Sequence, residues 1–135
     1  MKLFFDENFS PHLARGILEF QEGRPVEGIE VLHLADALGR GMPDEQWIPR
    51  VAQMHGIVIT QDFNIHRTRQ LAVLCRQHKL GIFFFRPPKK NPYGYWQIIE
   101  WVLKSWDMIK ACAKGTPVPF EFEITPRSNG PHQLL

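Results

Sequence analysis

The sequence predicts an α/β fold in which a mostly parallel sheet carries helices on both faces. Short apolar runs alternate with segments whose apolar residues recur at helical spacing, in the order β-α-β-α-β-α-β-α-β. This alternation is typical of parallel sheets, because strands that run the same way are usually joined by a helix. The 135 residues, 44% of them apolar, suffice for one continuous core. We therefore expect a single domain over residues 1–135, with a C-terminal strand and tail from about residue 118.

The first elements are predicted to be a buried strand and a capped helix. Lys2 to Phe5 is a short apolar run, typical of a strand. Ser10 and Pro11 then indicate a helix start, with Ser as the N-cap and Pro at the first helical position. Residues 29–34 predict a second strand, and the glycine-bearing residues 35–42 predict a loop.

The middle of the chain predicts two helices around a central strand. A helix begins at Pro43-Asp44-Glu45, and Pro49 in its early turns predicts either a local distortion or a later true start of the helix. Ile57 to Thr60 is a β-branched run, typical of a buried parallel strand. A third helix is expected from about Arg67 to His78.

The C-terminal third predicts two strands on either side of a long helix. Gly81 to Phe85 predicts a buried strand, and Tyr95 to Ala113 the longest helix. Phe120 to Ile124 alternates apolar and acidic residues, as a half-exposed edge strand would. Ser128-Asn129-Gly130 indicates a turn, after which residues 131–135 either add a short returning strand or are loose.

The composition argues against a membrane protein and against a disulfide-rich protein. No apolar run approaches the roughly 20 residues that span a bilayer, and Asp6 stands where a signal peptide would still be apolar. Cys75 and Cys112 are the only cysteines and belong to no paired motif, so we expect the protein to be in a reducing compartment. We expect both cysteines to lie on helices as small core residues. We expect a cytoplasmic protein with no membrane contact.

Acidic residues stand at three boundaries of the predicted elements. Asp6 and Asp62 follow two predicted strands, and Asp44 and Glu45 open a helix. Ligands of parallel sheets bind beyond the carboxyl ends of the strands, so these acids converge if the two strands are neighbours. Clustered carboxylates need a proton or a cation between them, and oxygen ligands suit Mg²⁺ or Mn²⁺. A bound cation of this kind can activate water against a phosphodiester.

The same acidic residues also fit roles outside a metal site. Asp44 or Glu45 alone is equally well explained as a helix cap. Asp6 could instead be phosphorylated, as in response regulators, although Arg86 rather than a lysine follows the later strand. Asp36 is better explained as a turn acid than as an outer metal ligand.

Three sequence blocks resemble a family of small bacterial PIN-like domains. The opening Met-Lys-Leu-Phe-Phe-Asp-Glu-Asn-Phe-Ser-Pro is similar to the family's strand–Asp-Glu-Asn–Ser-Pro start. The blocks 33–48 and 56–63 are similar in the right order. The strand at residues 81–86 and the long helix after it also fit, so the resemblance covers roughly residues 1–113. It implies a three-layer α/β/α sandwich and an Mg²⁺- or Mn²⁺-dependent endoribonuclease. Many PIN domains are toxins of toxin–antitoxin pairs, which implies RNA as substrate and an antitoxin protein as partner.

The resemblance also assigns roles to residues of this chain. Asp6, Asp44 and Asp62 would be the catalytic acids and, with Glu7 and Glu45, the metal ligands. The family often has a second aspartate where this chain has Asn64, which brings an oxygen but no charge. That departure favours the alternative of a catalytically weak or inactive module that binds nucleic acid or protein.

Substrate contacts are expected close to the acids. The candidates are polar or basic side chains at the same strand ends and in the segment after Asp62: Asn8, Thr60, Asn64, His66, Arg67 and Arg69. Thr60 could also hydrogen-bond the carboxylate of Asp6 or Asp62. Tyr93, Tyr95 and an outward-facing tryptophan lie near Lys89 and Lys90 and could stack on RNA bases, although a homodimer contact explains them equally well.

Overall fold

The fold is a three-layer α/β/α sandwich, here described from a computed structural model over residues 1–127 and 130–134. The strands are β1 (Lys2–Phe5), β2 (Glu30–His33), β3 (Gly56–Thr60), β4 (Gly81–Phe85), β5 (Phe120–Ile124) and β6 (His132–Gln133). The helices are α1 (Pro11–Glu22), α2 (Leu34–Leu38), α3 (Asp44–Gln53), α4 (Asn64–Arg67), α5 (Arg69–Gln77) and α6 (Tyr95–Gly115), with a 3₁₀ turn at Pro25–Glu27. No helix in the described part of the chain is long and apolar enough to cross a lipid bilayer.

The strands form one sheet in the order β2-β1-β3-β4-β5-β6. The first five run parallel, and β6 pairs antiparallel with β5. Buried side chains of β1, β3, β4 and β5 pack against α1 and α6 on one face of the sheet. The opposite face packs against α2, α3, α4 and α5. The predicted mostly parallel α/β fold is therefore confirmed.

Several local predictions are confirmed closely. Ser10 caps α1 by accepting a hydrogen bond from the His12 N–H at 3.1 Å, and Pro11 is the first helical residue. Cys75 and Cys112 lie on α5 and α6. The predicted outward tryptophan is Trp96, whose surface is 76% exposed.

Two local predictions need correction. Residues 35–42 are not all loop, because α2 begins at Leu34, where the His33 ring accepts from the Ala35 N–H at 3.2 Å. Pro49 lies inside α3, which already begins at Asp44, so the alternative of a later helix start is wrong. The helix predicted from about Arg67 to His78 is confirmed as α5, whereas the short helix α4 before it was not predicted; Thr68 adopts extended backbone angles between the two.

The strand predicted at the sheet edge is an interior strand. β5 pairs with β4 on one side and with β6 on the other, so the short returning strand β6 forms the edge. Glu121 alternates with phenylalanines as expected, yet its surface is only 1% exposed, because it faces the helix layer that contains α5 rather than solvent. Part of the predicted turn, residues 128–129, lies outside the described residues.

Candidate active site

Two of the predicted acids follow neighbouring strands. Asp6 comes directly after β1 and Asp62 two residues after β3, and these strands pair in parallel with Phe5 opposite Ile59. The Asp6 N–H extends the pairing by donating to the Ile59 carbonyl at 3.0 Å. The chain moves from β1 to β2 on one side and returns to β3 on the other, so strand order reverses at the β1–β3 boundary. Ligands of open parallel sheets bind beyond the strand ends at such a boundary.

Three donors hold the Asp6 carboxylate, whose residue is only 9% exposed. The Glu7 N–H donates to Oδ1 at 2.7 Å, and the Thr60 hydroxyl donates to Oδ2 at 2.8 Å. The Asn8 side-chain amide donates to Oδ2 at 3.4 Å. Each carboxylate oxygen has about two acceptor sites, so Oδ1 keeps one for a further ligand.

Thr60 connects the loop after β1 to the loop after β3. Its buried hydroxyl accepts from the Asp62 N–H at 2.9 Å and from the Asn8 amide at 3.1 Å while it donates to Asp6. These bonds use its one donor and both acceptor sites. Asn8 Oδ1 in turn accepts from the Gln61 N–H at 3.0 Å. The predicted hydrogen bond between Thr60 and Asp6 is confirmed.

Asp44 reaches the same region from the start of α3. It is the first residue of that helix, where the helix dipole stabilises a carboxylate. The Trp47 indole N–H donates to Asp44 Oδ1 at 2.8 Å. The sequence analysis did not predict this contact, although a spacing of three residues on a helix was a usable signal.

The acids face one concavity, which we call the acid pocket. It has a volume of about 210 Å³, and its polar lining consists of Asp6, Glu7, Asn8, Asp44 and Asp62. Leu34, Met42 and Trp47 contribute to its apolar wall. A pocket of this size has room for several water molecules.

Burial and nearby carboxylates raise the pKa of both Asp6 and Asp44. Burial raises the pKa of Asp6 above its ordinary value, against the hydrogen bonds from Thr60 and Glu7, and the charges of Asp44 and Asp62 raise it further. Burial also raises the pKa of Asp44, the Trp47 bond acts against it, and the charge of Asp62 adds to the rise. Perturbed carboxylates that share a cleft are a recognised mark of functional sites.

The donor set fits a hydrated hard cation better than a closed metal cage. Within the described ranges, no group of three or more His, Cys, Asp or Glu side chains could hold a metal ion. A cation here would therefore use one or two carboxylates and keep several waters, as Mg²⁺ commonly does in proteins. Asp6 has an unused acceptor site that could bind such an ion, and the ion's positive charge would offset the repulsion between Asp6 and the carboxylates of Asp44 and Asp62.

The two glutamates predicted as metal ligands occupy different positions. Glu7 lines the acid pocket, but its Oε1 accepts a hydrogen bond from the Gly41 N–H at 2.7 Å. Glu45 is exposed and is not part of the pocket lining. Its charge nevertheless raises the pKa of Asp44, so it adds to the local negative potential.

The predicted substrate contacts at the strand ends differ in accessibility. Thr60 is fully buried, and its hydroxyl bonds to Asp6 and Asp62 rather than facing the acid pocket. Asn8 is exposed and lines the acid pocket. Asn64 is exposed, and its backbone N–H donates to Asp62 Oδ1 at 3.0 Å.

The predicted basic contacts after Asp62 do not line the acid pocket. His66 Nδ1 lies 3.4 Å from Glu121, on the side of β5. The Arg67 guanidinium lies 5.1 Å from the Phe63 ring centroid, and Arg69 is an exposed residue at the start of α5. The placement of these three side chains therefore does not support direct contact with a ligand in the acid pocket.

The geometry does not support two alternative roles, that of Asp36 as an outer metal ligand and that of Asp6 as a phosphorylated residue. Asp36 forms an ion pair with Arg15 at 3.1 Å and does not line the acid pocket. Arg86 packs 4.0 Å from the Phe63 ring centroid and lies 3.4 Å from Glu123, so it does not serve as the cation that a phosphorylated Asp6 would require.

Comparison with known proteins adds an independent finding about this chain. Residues 1–87 match the family described as a PIN like domain, and this range contains all five polar residues of the acid pocket. No curated protein matches the chain. No solved structure matches it. Because the matched range covers more than half of the 135 residues, the chain belongs to the PIN-like domain family.

Proposed function

We propose that this protein is a divalent-metal-dependent endoribonuclease that uses Mg²⁺ or Mn²⁺. The observation that carries the proposal is the convergence of Asp6, Asp44 and Asp62 on one pocket at the β1–β3 boundary. Membership of the PIN-like family supports the assignment, because PIN-like domains are generally dependent on divalent metals. RNA as substrate and a role as the toxin of a toxin–antitoxin pair are the finer parts of the proposal.

The residues of the acid pocket would divide the work between binding and orientation. Asp6 would be the principal ligand, and Asp44 and Asp62 would bind the cation directly or through its waters. When bound, the cation would activate a water molecule and stabilise the charge that develops on the phosphodiester. Thr60 and the Glu7 N–H would hold Asp6 in orientation, as Trp47 would hold Asp44.

The test combines metal binding with cleavage. Asp6→Asn should abolish Mn²⁺ binding in calorimetry and remove Mn²⁺-dependent cleavage of a fluorogenic single-stranded RNA, while circular dichroism stays unchanged. The matched control is Asp36→Asn, because Asp36 is an exposed acid outside the pocket and should leave both measurements unchanged. Cleavage by Asp6→Asn at the wild-type rate would refute the proposal.

A second candidate function is a binding module without catalysis. Asn64 in place of the family's second aspartate favours it, because Asn64 adds no negative charge beside Asp62. It predicts RNA binding without cleavage at any concentration of Mg²⁺ or Mn²⁺. Asn64→Asp should then create or raise cleavage activity, whereas an active wild-type enzyme excludes this candidate.

A further inference from the structure

A second groove adjoins the acid pocket. It has a volume of about 300 Å³, and its lining includes Asn8, Gln61, Tyr93 and Tyr95, so we call it the tyrosine groove. Asn8 lines both concavities, so they lie on either side of this residue. Two hydrogen bonds fix this shared wall, because the Gln61 N–H donates to Asn8 Oδ1 at 3.0 Å and the Gln61 side chain donates to the Asn8 carbonyl at 2.9 Å.

The tyrosine groove is lined by one exposed tyrosine and by one that packs partly against the core. Tyr95 is 50% exposed at the start of α6, and its ring makes an edge contact with Trp96, which is 76% exposed. Tyr93 is more firmly placed, since its ring packs edge-on against the buried Trp101 at 5.4 Å. The exposed ring of Tyr95 therefore lies near the half-buried, firmly placed ring of Tyr93, and proteins offer such aromatic surfaces to unpaired bases as stacking platforms.

Basic side chains lie at the far end of the same path. Tyr93 also lines a wider depression of about 600 Å³ that contains Lys90 and Arg127. Neither cation takes part in an ion pair with the residues that the structure describes. Unpaired cations beside stacking rings suit a phosphate backbone, and they disfavour a positively charged or purely apolar partner.

We propose that single-stranded RNA runs from the acid pocket through the tyrosine groove to Lys90 and Arg127. A base next to the scissile phosphate would stack on Tyr95, and the following phosphates would meet the two cations. Duplex RNA is disfavoured, because its bases are already stacked within the helix and do not reach a protein ring. This inference rests on the proposed ribonuclease function, since it names the substrate class of that same site.

The test measures binding separately from cleavage. The probe is a fluorescein-labelled 12-nucleotide oligouridylate, observed by fluorescence anisotropy in EDTA, with a 12-base-pair RNA duplex as comparison. Tyr95→Ala should weaken single-strand binding roughly 5- to 150-fold, the range of one lost base stack, whereas Tyr95→Phe keeps the ring and should bind as wild type does. Phe20→Ala is the matched control, because Phe20 is 71% exposed on α1 and does not line the tyrosine groove.

Salt dependence tests the basic end of the path. Lys90→Ala and Arg127→Ala should each lower the slope of log affinity against log salt by about 0.7, the value for one lost phosphate contact on a single strand. Wild-type affinity in Tyr95→Ala, or equal binding of the duplex, would overturn the inference. A loss of dimer in light scattering for Tyr95→Ala, without a loss of RNA affinity, would also overturn it and assign the aromatic surface to a second copy of the chain.

The two proposals fail in distinguishable ways. Tyrosine-dependent RNA binding without cleavage in Mg²⁺ or Mn²⁺ would refute the nuclease and leave the binding path standing. Metal-dependent cleavage with an unchanged KM in Tyr95→Ala would refute the path and leave the nuclease standing.

Discussion

Thr60→Val tests whether one hydroxyl organises the acid pocket. The substitution keeps the size and branching of the buried side chain but removes all three hydrogen bonds of the hydroxyl. Its bond to the Asp6 carboxylate is worth about 1.5–3 kcal/mol, and the orphaned Asp62 N–H adds about 1 kcal/mol. The additional methyl group returns about 0.8 kcal/mol. We expect a net loss of about 2–3 kcal/mol in the free energy of unfolding, which for a chain of this length lowers Tm by about 6–12 °C.

Metal binding provides a readout that a purely structural role would not change. The Thr60 hydrogen bond lowers the pKa of Asp6, so its removal raises that pKa further. A metal ligand must be deprotonated, and Mn²⁺ binding by Thr60→Val should therefore begin at a higher pH than in wild type. Loss of an orienting partner should also weaken the affinity for metal about 10- to 100-fold.

The matched control is Thr60→Ser, which keeps the hydroxyl and deletes only a methyl group. It should retain the wild-type pH dependence of metal binding and lose only about 1 kcal/mol of stability. The assays are urea denaturation in EDTA and calorimetric titration with Mn²⁺ over a range of pH. The reasoning is refuted if Thr60→Val and Thr60→Ser have the same stability and bind Mn²⁺ with the same pH profile.

Three further predictions concern stability in EDTA. The folded-state pKa of Asp6 lies above its ordinary value of 3.8, so its protonation stabilises the fold at low pH and this contribution is lost as pH rises through the folded-state pKa. Urea denaturation should show that loss in wild type but not in Asp6→Asn, and parallel pH profiles would contradict it. Glu121→Leu should be neutral or should stabilise the protein by about 1 kcal/mol in urea denaturation, because Glu121 is buried and its carboxylate oxygens have no hydrogen-bond partner in the described part of the chain. A loss above about 1 kcal/mol would instead show that the charge contacts of Glu121 with His66 at 3.4 Å and Arg76 at 3.8 Å stabilise the fold. Gly81→Ala should lower the Tm measured by thermal melting, since the new Cβ would lie 2.5 Å from the Phe120 ring. Gly16→Ala in α1 should raise the Tm, because the new Cβ has nothing within 4 Å and alanine favours the helix.

The elements that the sequence predicted well are those specified by neighbouring residues. The β-branched run before Thr60 and the Ser10–Pro11 pair each carry their signal within a few positions, and both stand as predicted. The same local information placed Asp6 and Asp62 at strand ends. What it left open was whether those two strands are neighbours.

Sequence reasoning was least informative where a distant segment decides the environment of a residue. β5 was expected at the edge because Phe120 to Ile124 alternates, but the two-residue strand β6 covers it and Glu121 is buried. His66 and Arg67 follow Asp62 closely in sequence, yet α4 directs them to Phe63 and Glu121 and away from the acid pocket. An alternating pattern reports which residues share a face and does not report what covers that face.

The sequence by itself determined the α/β class, the strand ends and the acids that stand there, because these depend on side-chain periodicity and backbone preference over short distances. Only the tertiary structure decided that β1 lies beside β3, that Thr60 bonds Asp6 across 54 positions, and that Asn8 lines both the acid pocket and the tyrosine groove. These features arise from strand pairing and packing between residues far apart in the chain. Their free energy depends on the whole sheet, and no local pattern contains it.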